Sequence, residues 1–259
     1  MIDYSALFLS HGAPTLAVEP SPTQRFLVSL GKELRRPRAI LCISAHWDTS
    51  RPMLTGAAAA PIIHDFFGFP EALYALDYPA PGDPALADWL AAVLGQAGFD
   101  VGVDGTRGLD HGAWVPLSLM YPEAGIPVVQ LSVQSALGPE HHLRLGRALA
   151  VLRRQDVLVI GSGGATHNLR EFTGQGPDAE VPSYVQEFDQ WLDDVVQEGR
   201  TDEALAYEGA PSGRRNHPTP EHLLPLFVAW GAGGGAGSGE LLHKAFSYGI
   251  LSMTAYAWK

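Results

Sequence analysis

The sequence predicts one α/β domain, residues 1–259, with a mostly parallel central sheet flanked by helices. Three observations predict it. Short apolar runs of strand length recur along the chain. Longer segments with helical spacing separate them. Turn residues and glycines, several of them beside histidines, follow the runs directly.

The elements follow in order. Residues 5–10 (SALFLS) form the first buried strand. Pro22 to Arg36 has helical spacing, with Phe26, Leu27, Leu30 and Leu34 on one face. Residues 38–45 (RAILCISA) form a second buried strand. Strand, helix and strand at this spacing make a βαβ unit, which pairs its strands in parallel. Residues 50–82 are rich in proline and aromatics and read as an ordered excursion rather than a linker. Residues 83–98 are helical, with Asp83 as N-cap and Pro84 in the first turn. Short strands follow at 99–103, 126–133 and 157–162, with a helix at 139–154. A helix at 181–198 and another at 220–230 come next. Residues 231–239 (GAGGGAGSG) read as a mobile surface loop. The end, 246–258, is β-prone and turns at Gly249. Candidate boundaries near 80 and 235 leave no self-sufficient halves.

Composition narrows the function classes. Apolar residues make up 46% and charged residues 17%, which supports a sizeable core. The net charge of −11 argues against nucleic acid or an anionic membrane as partner. No run of 18 apolar residues is present, so no membrane span is expected. The start lacks a basic n-region, so no secretory signal is expected. The single cysteine, Cys42, excludes an internal disulfide and multi-cysteine metal sites. Together these predict a cytoplasmic protein.

Ten histidines stand out. His11 follows the first strand, His46 the second, and His167 the strand at 157–162. Open parallel sheets bind ligands beyond the carboxyl ends of their strands, so three imidazoles could converge there. This predicts a metal pocket at those ends. His111 and His222 occupy turn-rich settings, and His64 lies in the excursion. His141, His142 and His243 read as solvated positions. Imidazole-rich sites without thiolate suit Fe, Zn, Cu or Ni. Glu221 and His222 are neighbours, and on a helix only one of the two would face a metal. Phosphate-loop, dinucleotide and nucleophile-elbow motifs are missing or incomplete.

Six short motifs occur in one order: residues 7–14 (LFLSHGAP), 44–47 (SAHW), 63–70 (IHDFFGFP), 109–114 (LDHGAW), 166–169 (THNL) and 218–222 (PTPEH). With these the chain resembles the class III extradiol ring-cleavage dioxygenases, in the 4,5-DOPA dioxygenase-like branch. The resemblance runs from about residue 6 to 258. It implies His11, His46 and His222 as metal ligands, with His222 preferred over Glu221. It implies His167 as acid/base, close enough to be a fourth ligand. It places His111 and His64 at the substrate, His111 also as a catalytic residue. Fe(II) is the expected catalytic metal, and Zn(II) could fill the same ligands. The expected partners are a small aromatic diol and O2. Trp47, Phe66, Phe67, Trp114 and Tyr78 are the aromatic residues expected near the ring. Arg107 and Arg170 are the candidates for holding an amino-acid carboxylate. Two alternatives remain at this point: a metal-binding protein on the same scaffold without oxygenase activity, and a zinc hydrolase.

Overall fold

A computed structural model describes residues 2–59, 61–235 and 237–259. The elements among them run β1 (Ala6–Ser10), α1 (Pro22–Glu33), β2 (Ala39–Asp48), β3 (Met53–Thr55), α2 (Glu71–Tyr74), α3 (Pro84–Gln96), β4 (Gly102–Asp104), α4 (His111–Met120), β5 (Val128–Val133) and α5 (Gly138–Leu149). They continue with β6 (Val157–Gly163), α6 (Ser183–Gln197), α7 (Thr201–Leu205), α8 (Gly213–Asn216), α9 (Leu224–Ala232), β7 (Glu240–His243), β8 (Phe246–Ser247), β9 (Leu251–Ser252) and β10 (Ala255–Trp258).

Eight strands form one sheet in the order β4-β3-β5-β2-β6-β1-β10-β7. Its centre, β5-β2-β6-β1, is parallel throughout. Antiparallel pairs occur toward both edges, at β3/β5, β1/β10 and β10/β7. The central strands are buried on both faces, which explains why they read as continuous apolar runs rather than alternating ones. Alternation still sorts the side chains. Phe8, Leu41, Ile43 and Val159 enter one core layer, under α5, α6 and α9. Leu7, Leu9, Ile40, Cys42 and Ile160 enter the other, under α1 and α4.

Several boundaries move. The excursion holds a short strand, β3, which pairs with β4 and β5. β4 is shorter and later than the expected 99–103. Helix α4 was not expected. It is apolar on nearly every side and carries Pro116 inside, so it shows neither an amphipathic period nor an uninterrupted pattern. The helix expected from Pro220 starts at Leu224, because Pro225 belongs to its first turn. Asp83 caps α3 as expected, its Oδ1 accepting the Leu86 N–H at 2.9 Å.

The glycine-rich stretch 231–239 is corrected at its start, where Gly231 and Ala232 belong to α9, while 233–235 and 237–239 lie outside helix and strand. Gly231 lies in α9 where that helix crosses α5. A Cβ there would meet the Leu143 carbonyl oxygen at 2.4 Å. At this crossing the missing side chain permits close packing and is not a source of slack. Ala236, within the same stretch, lies outside the described residues.

Candidate metal centre

The parallel centre of the sheet carries the histidines. His11 leaves β1 with its N–H on the Gly163 carbonyl (3.0 Å), so the ends of β1 and β6 are tied together. His46 lies within β2, which runs on to Asp48 past the point where the strand was expected to stop. His222 precedes α9 in the turn after Pro220. Its carbonyl accepts the Gly164 N–H at 2.9 Å, which holds that turn against the end of β6. Gly163 makes the approach possible, since a Cβ there would stand 2.0 Å from the His222 carbonyl oxygen.

Among the described residues, three groups of side chains lie close enough together to hold an ion: His11 with His46 and His222, His46 with Asp65 and His111, and His167 with Glu221 and His222. In each group the potential ligand atoms lie within 4.8 Å of one another. Second partners distinguish the first group. Ser162 Oγ donates to the Gly112 carbonyl (2.5 Å), so its lone pair accepts the His11 Nδ1–H (2.9 Å). The Glu221 carboxylate accepts the His222 Nδ1–H at 3.1 Å. The Asp65 carboxylate lies 3.6 Å from His46 Nδ1. Each partner favours the proton on Nδ1 and leaves Nε2 as a bare lone pair. His11 Nε2 and His46 Nε2 then face each other at 2.9 Å, and the buried His222 Nε2 has no hydrogen-bond partner. Lone pairs so placed repel unless a cation lies among them. The donor set, three neutral imidazoles without thiolate, fits a divalent transition metal.

Burial agrees with neutral rings. Desolvation, reinforced by the neighbouring histidines, holds His11 and His222 well below the usual histidine pKa. His46 is pushed down to about 3 by burial and by His111, against the pull of Asp65.

His167 stacks on His222 with ring centroids 3.4 Å apart and planes 8° apart. Burial lowers it to about 4, opposed by Glu221. His111 is the first residue of α4. Asp65 receives its backbone N–H (2.9 Å) and stands 3.0 Å from its Nδ1. Burial would raise the Asp65 pKa, but these His111 contacts outweigh it and hold the carboxyl at about 2. Asp65 therefore caps α4 from outside and steadies two histidines at once. Sequence reasoning gave it no role, although it stands in the 63–70 motif.

Five histidine rings open onto one cavity of about 500 Å³: His11, His46, His111, His167 and His222. The size falls in the ~300–1,000 Å³ range of small-molecule sites. Phe66 and Phe67 line it, as expected. Other aromatic expectations need correction. Trp47 follows His46 on a strand, so it turns to the opposite side and lies under the Arg107 guanidinium, 4.6 Å from the ring centre. His64 sits outside the lining, against Phe66, Tyr74 and Trp114. Trp114 donates to the Ile63 carbonyl and Tyr78 to the Tyr121 carbonyl, so both belong to the packing around the site.

Asp110 is fully buried and receives Ser44, Gln130 and Arg107 rather than a histidine N–H. His142, expected in solvent, is fully buried in α5. His217, which the sequence did not single out, is buried and bonded to the Ala165 carbonyl.

The chain matches the family described as the catalytic LigB subunit of aromatic ring-opening dioxygenase over residues 5–258. It is 46% identical to a 4,5-DOPA dioxygenase extradiol of Beta vulgaris, across 96% of this chain and 94% of the relative. It is 40% identical to a protein of the same name from Escherichia coli K12, across 96% and 92%. A crystal structure of an uncharacterized Escherichia coli K12 protein superposes with a TM-score of 0.83 at 33% identity, covering 98% of this chain and 99% of that one. The histidine cluster, the sheet that carries it and these likenesses place the chain in the family of class III extradiol ring-opening dioxygenases, non-haem metal enzymes.

Proposed function

We propose that this enzyme cleaves a catechol-type aromatic diol, DOPA or a related compound, using O2 at one Fe(II) held by His11, His46 and His222. The observation that carries the reading is that potential ligand atoms of His11, His46 and His222 lie within 4.8 Å of one another, with Nε2 of His11 and of His46 2.9 Å apart and Nε2 of His222 buried without a hydrogen-bond partner. Bound Fe(II) would supply the redox chemistry with O2 and the positive charge that acidifies a coordinated diol.

The chain's own residues supply the rest. His167, neutral at pH 7, accepts a phenolic proton on its free ring nitrogen and can return it as the ring opens. Its stacking on His222 keeps that base beside the metal group. His111 faces the same cavity with its Nδ1 side turned to Asp65, so its Nε2 side is left for the substrate oxygens. Phe66 and its neighbours offer ring faces to the aromatic substrate and keep water from the reacting edge. The third ligand is His222 rather than Glu221, because Glu221 is occupied at His222 Nδ1.

The test is anaerobic Fe(II) loading, then a panel of catechols with O2. Uptake of one O2 per diol with a ring-opened, yellow product supports the reading. No O2 uptake with any catechol, at full iron occupancy, contradicts it.

A further inference from the structure

DOPA, the first of the diols proposed above, carries an amino-acid group on its ring. At neutral pH that group brings a carboxylate with it. A carboxylate that leaves water without a donor to receive it is costly, so a cavity that takes DOPA needs one. The histidine rings are taken up with the metal and the diol. Arg107 is committed to Asp110 and to the Trp47 face. Arg170 is exposed and lies outside the lining. Among the described residues that line the cavity, Tyr248 is the one side chain besides the histidines that carries a hydrogen-bonding group.

The backbone holds that tyrosine in an unusual place. Tyr248 and Gly249 stand between β8 and β9 with φ of 55° and 68°. Two successive residues at positive φ ordinarily read Asn-Gly or Asp-Gly, because a bulky side chain is strained there. Strain of this kind persists only where surrounding contacts over-determine it, and it gathers at functional sites. The contacts are present. The Tyr248 N–H donates to the Pro177 carbonyl at 2.9 Å. Its ring meets Phe172 edge to face, with centroids 5.8 Å apart and planes at 88°. Its hydroxyl lies 3.4 Å from Thr15 Oγ1. Phe172 and Leu169 line the same cavity and are 47% and 57% exposed, so this wall borders water.

We propose that Tyr248 determines specificity for the ring substituent, its O–H donating to the carboxylate of an amino-acid or propionate side chain. This rests on the dioxygenase reading above and names the residue that meets the substituent. Thr15 Oγ1 can donate to the Tyr248 oxygen, which leaves the phenolic proton for the substrate and strengthens it as a donor. The ammonium group of DOPA faces the open side of the cavity and stays in water.

The experiment compares wild type with Tyr248→Phe on catechol, L-DOPA, 3-(3,4-dihydroxyphenyl)propionate and dopamine. Oxygen uptake is measured with Fe(II)-loaded enzyme, and dissociation constants are measured by calorimetry on the same protein without O2. We expect Tyr248→Phe to lower kcat/KM for L-DOPA, relative to catechol, by about tenfold or more, as for a lost hydrogen bond to a charged group. The propionate, which keeps the carboxylate, should lose as much. Dopamine, which keeps only the ammonium, should hold its ratio to catechol. The dissociation constants should follow the same pattern. The proposal is overturned if the L-DOPA ratio survives in Tyr248→Phe, or if dopamine loses as much as L-DOPA. If no diol consumes O2, the dioxygenase reading fails, and the anaerobic dissociation constants still decide the role of Tyr248: an L-DOPA affinity equal in the two proteins overturns it.

Discussion

In the proposed metal site Ser162 pairs with Nδ1 of His11 and Glu221 with Nδ1 of His222, while the Asp65 carboxylate lies 3.6 Å from Nδ1 of His46 and 3.0 Å from that of His111. Partners of this kind typically account for about 10- to 100-fold in metal affinity. Ser162→Ala should therefore weaken Fe(II) binding by about that factor, read by competition with a chelator of known affinity. An unchanged affinity would show that Ser162 does not fix the His11 tautomer. Asp65→Asn should lower turnover by about 10-fold or more, since the amide holds His111 and His46 less firmly and removes a charge from the site. Wild-type turnover in that variant would remove Asp65 from the account. At this scale the sequence was half legible. His11, His46 and His167 announce themselves through their strand-end positions, and His222 through the family resemblance. Ser162 and Asp65 do not, because their roles depend on contacts 151 and 46 residues away along the chain.

Among the elements, the end of β6 and the turn before α9 share one tight joint. Gly163 fits under the His222 carbonyl, and Gly164 bonds to it. Gly163→Ala would drive a methyl group into backbone and push the His222 turn outward. Overpacking of this sort costs about 1–3 kcal/mol. The expected outcome is a lowered Tm together with weaker Fe(II) binding. A variant that lost stability but bound iron normally would show that the joint supports the fold alone. The buried strands β1, β2, β5 and β6 were readable because two-sided burial forces continuous apolar runs. Helix α4 was not, because a helix buried on nearly all sides has no polar face to reveal its period. Gly231, at the start of the 231–239 stretch, misled for the opposite reason. Glycine at a helix crossing and glycine in a slack loop have the same composition, and only the neighbour at 2.4 Å tells them apart.

Across the whole molecule, burial of neutral histidines ties stability to pH. His142 donates from Nδ1 to the Gly138 carbonyl (2.6 Å) and accepts the Gln134 N–H at Nε2 (3.0 Å), so protonation sets two N–H groups against each other. Burial lowers it to about 4. Burial lowers His217 to about 4 as well, against its bond to the Ala165 carbonyl. Between that value and the ordinary ~6.5, the unfolded chain binds protons that the folded chain refuses. Their contribution to stability is therefore complete above pH ~6.5 and is lost as pH falls toward 4. Denaturant melts of metal-free protein should show unfolding free energy dropping by a few kcal/mol over that window. A flat profile would contradict neutral burial of the two rings.

The account as a whole depends on three strand-end and turn histidines, distant in the chain, acting as one metal site. Diffraction from crystals of Fe(II)-loaded protein, recorded at the iron absorption edge, tests this most directly. The predicted result is one anomalous peak bonded to Nε2 of His11, His46 and His222, at about the 2.0–2.1 Å known for imidazole–metal bonds. An ion found instead between Asp65 and His111, or between His167 and Glu221, would contradict it, as would crystals of active enzyme with no iron at the three histidines.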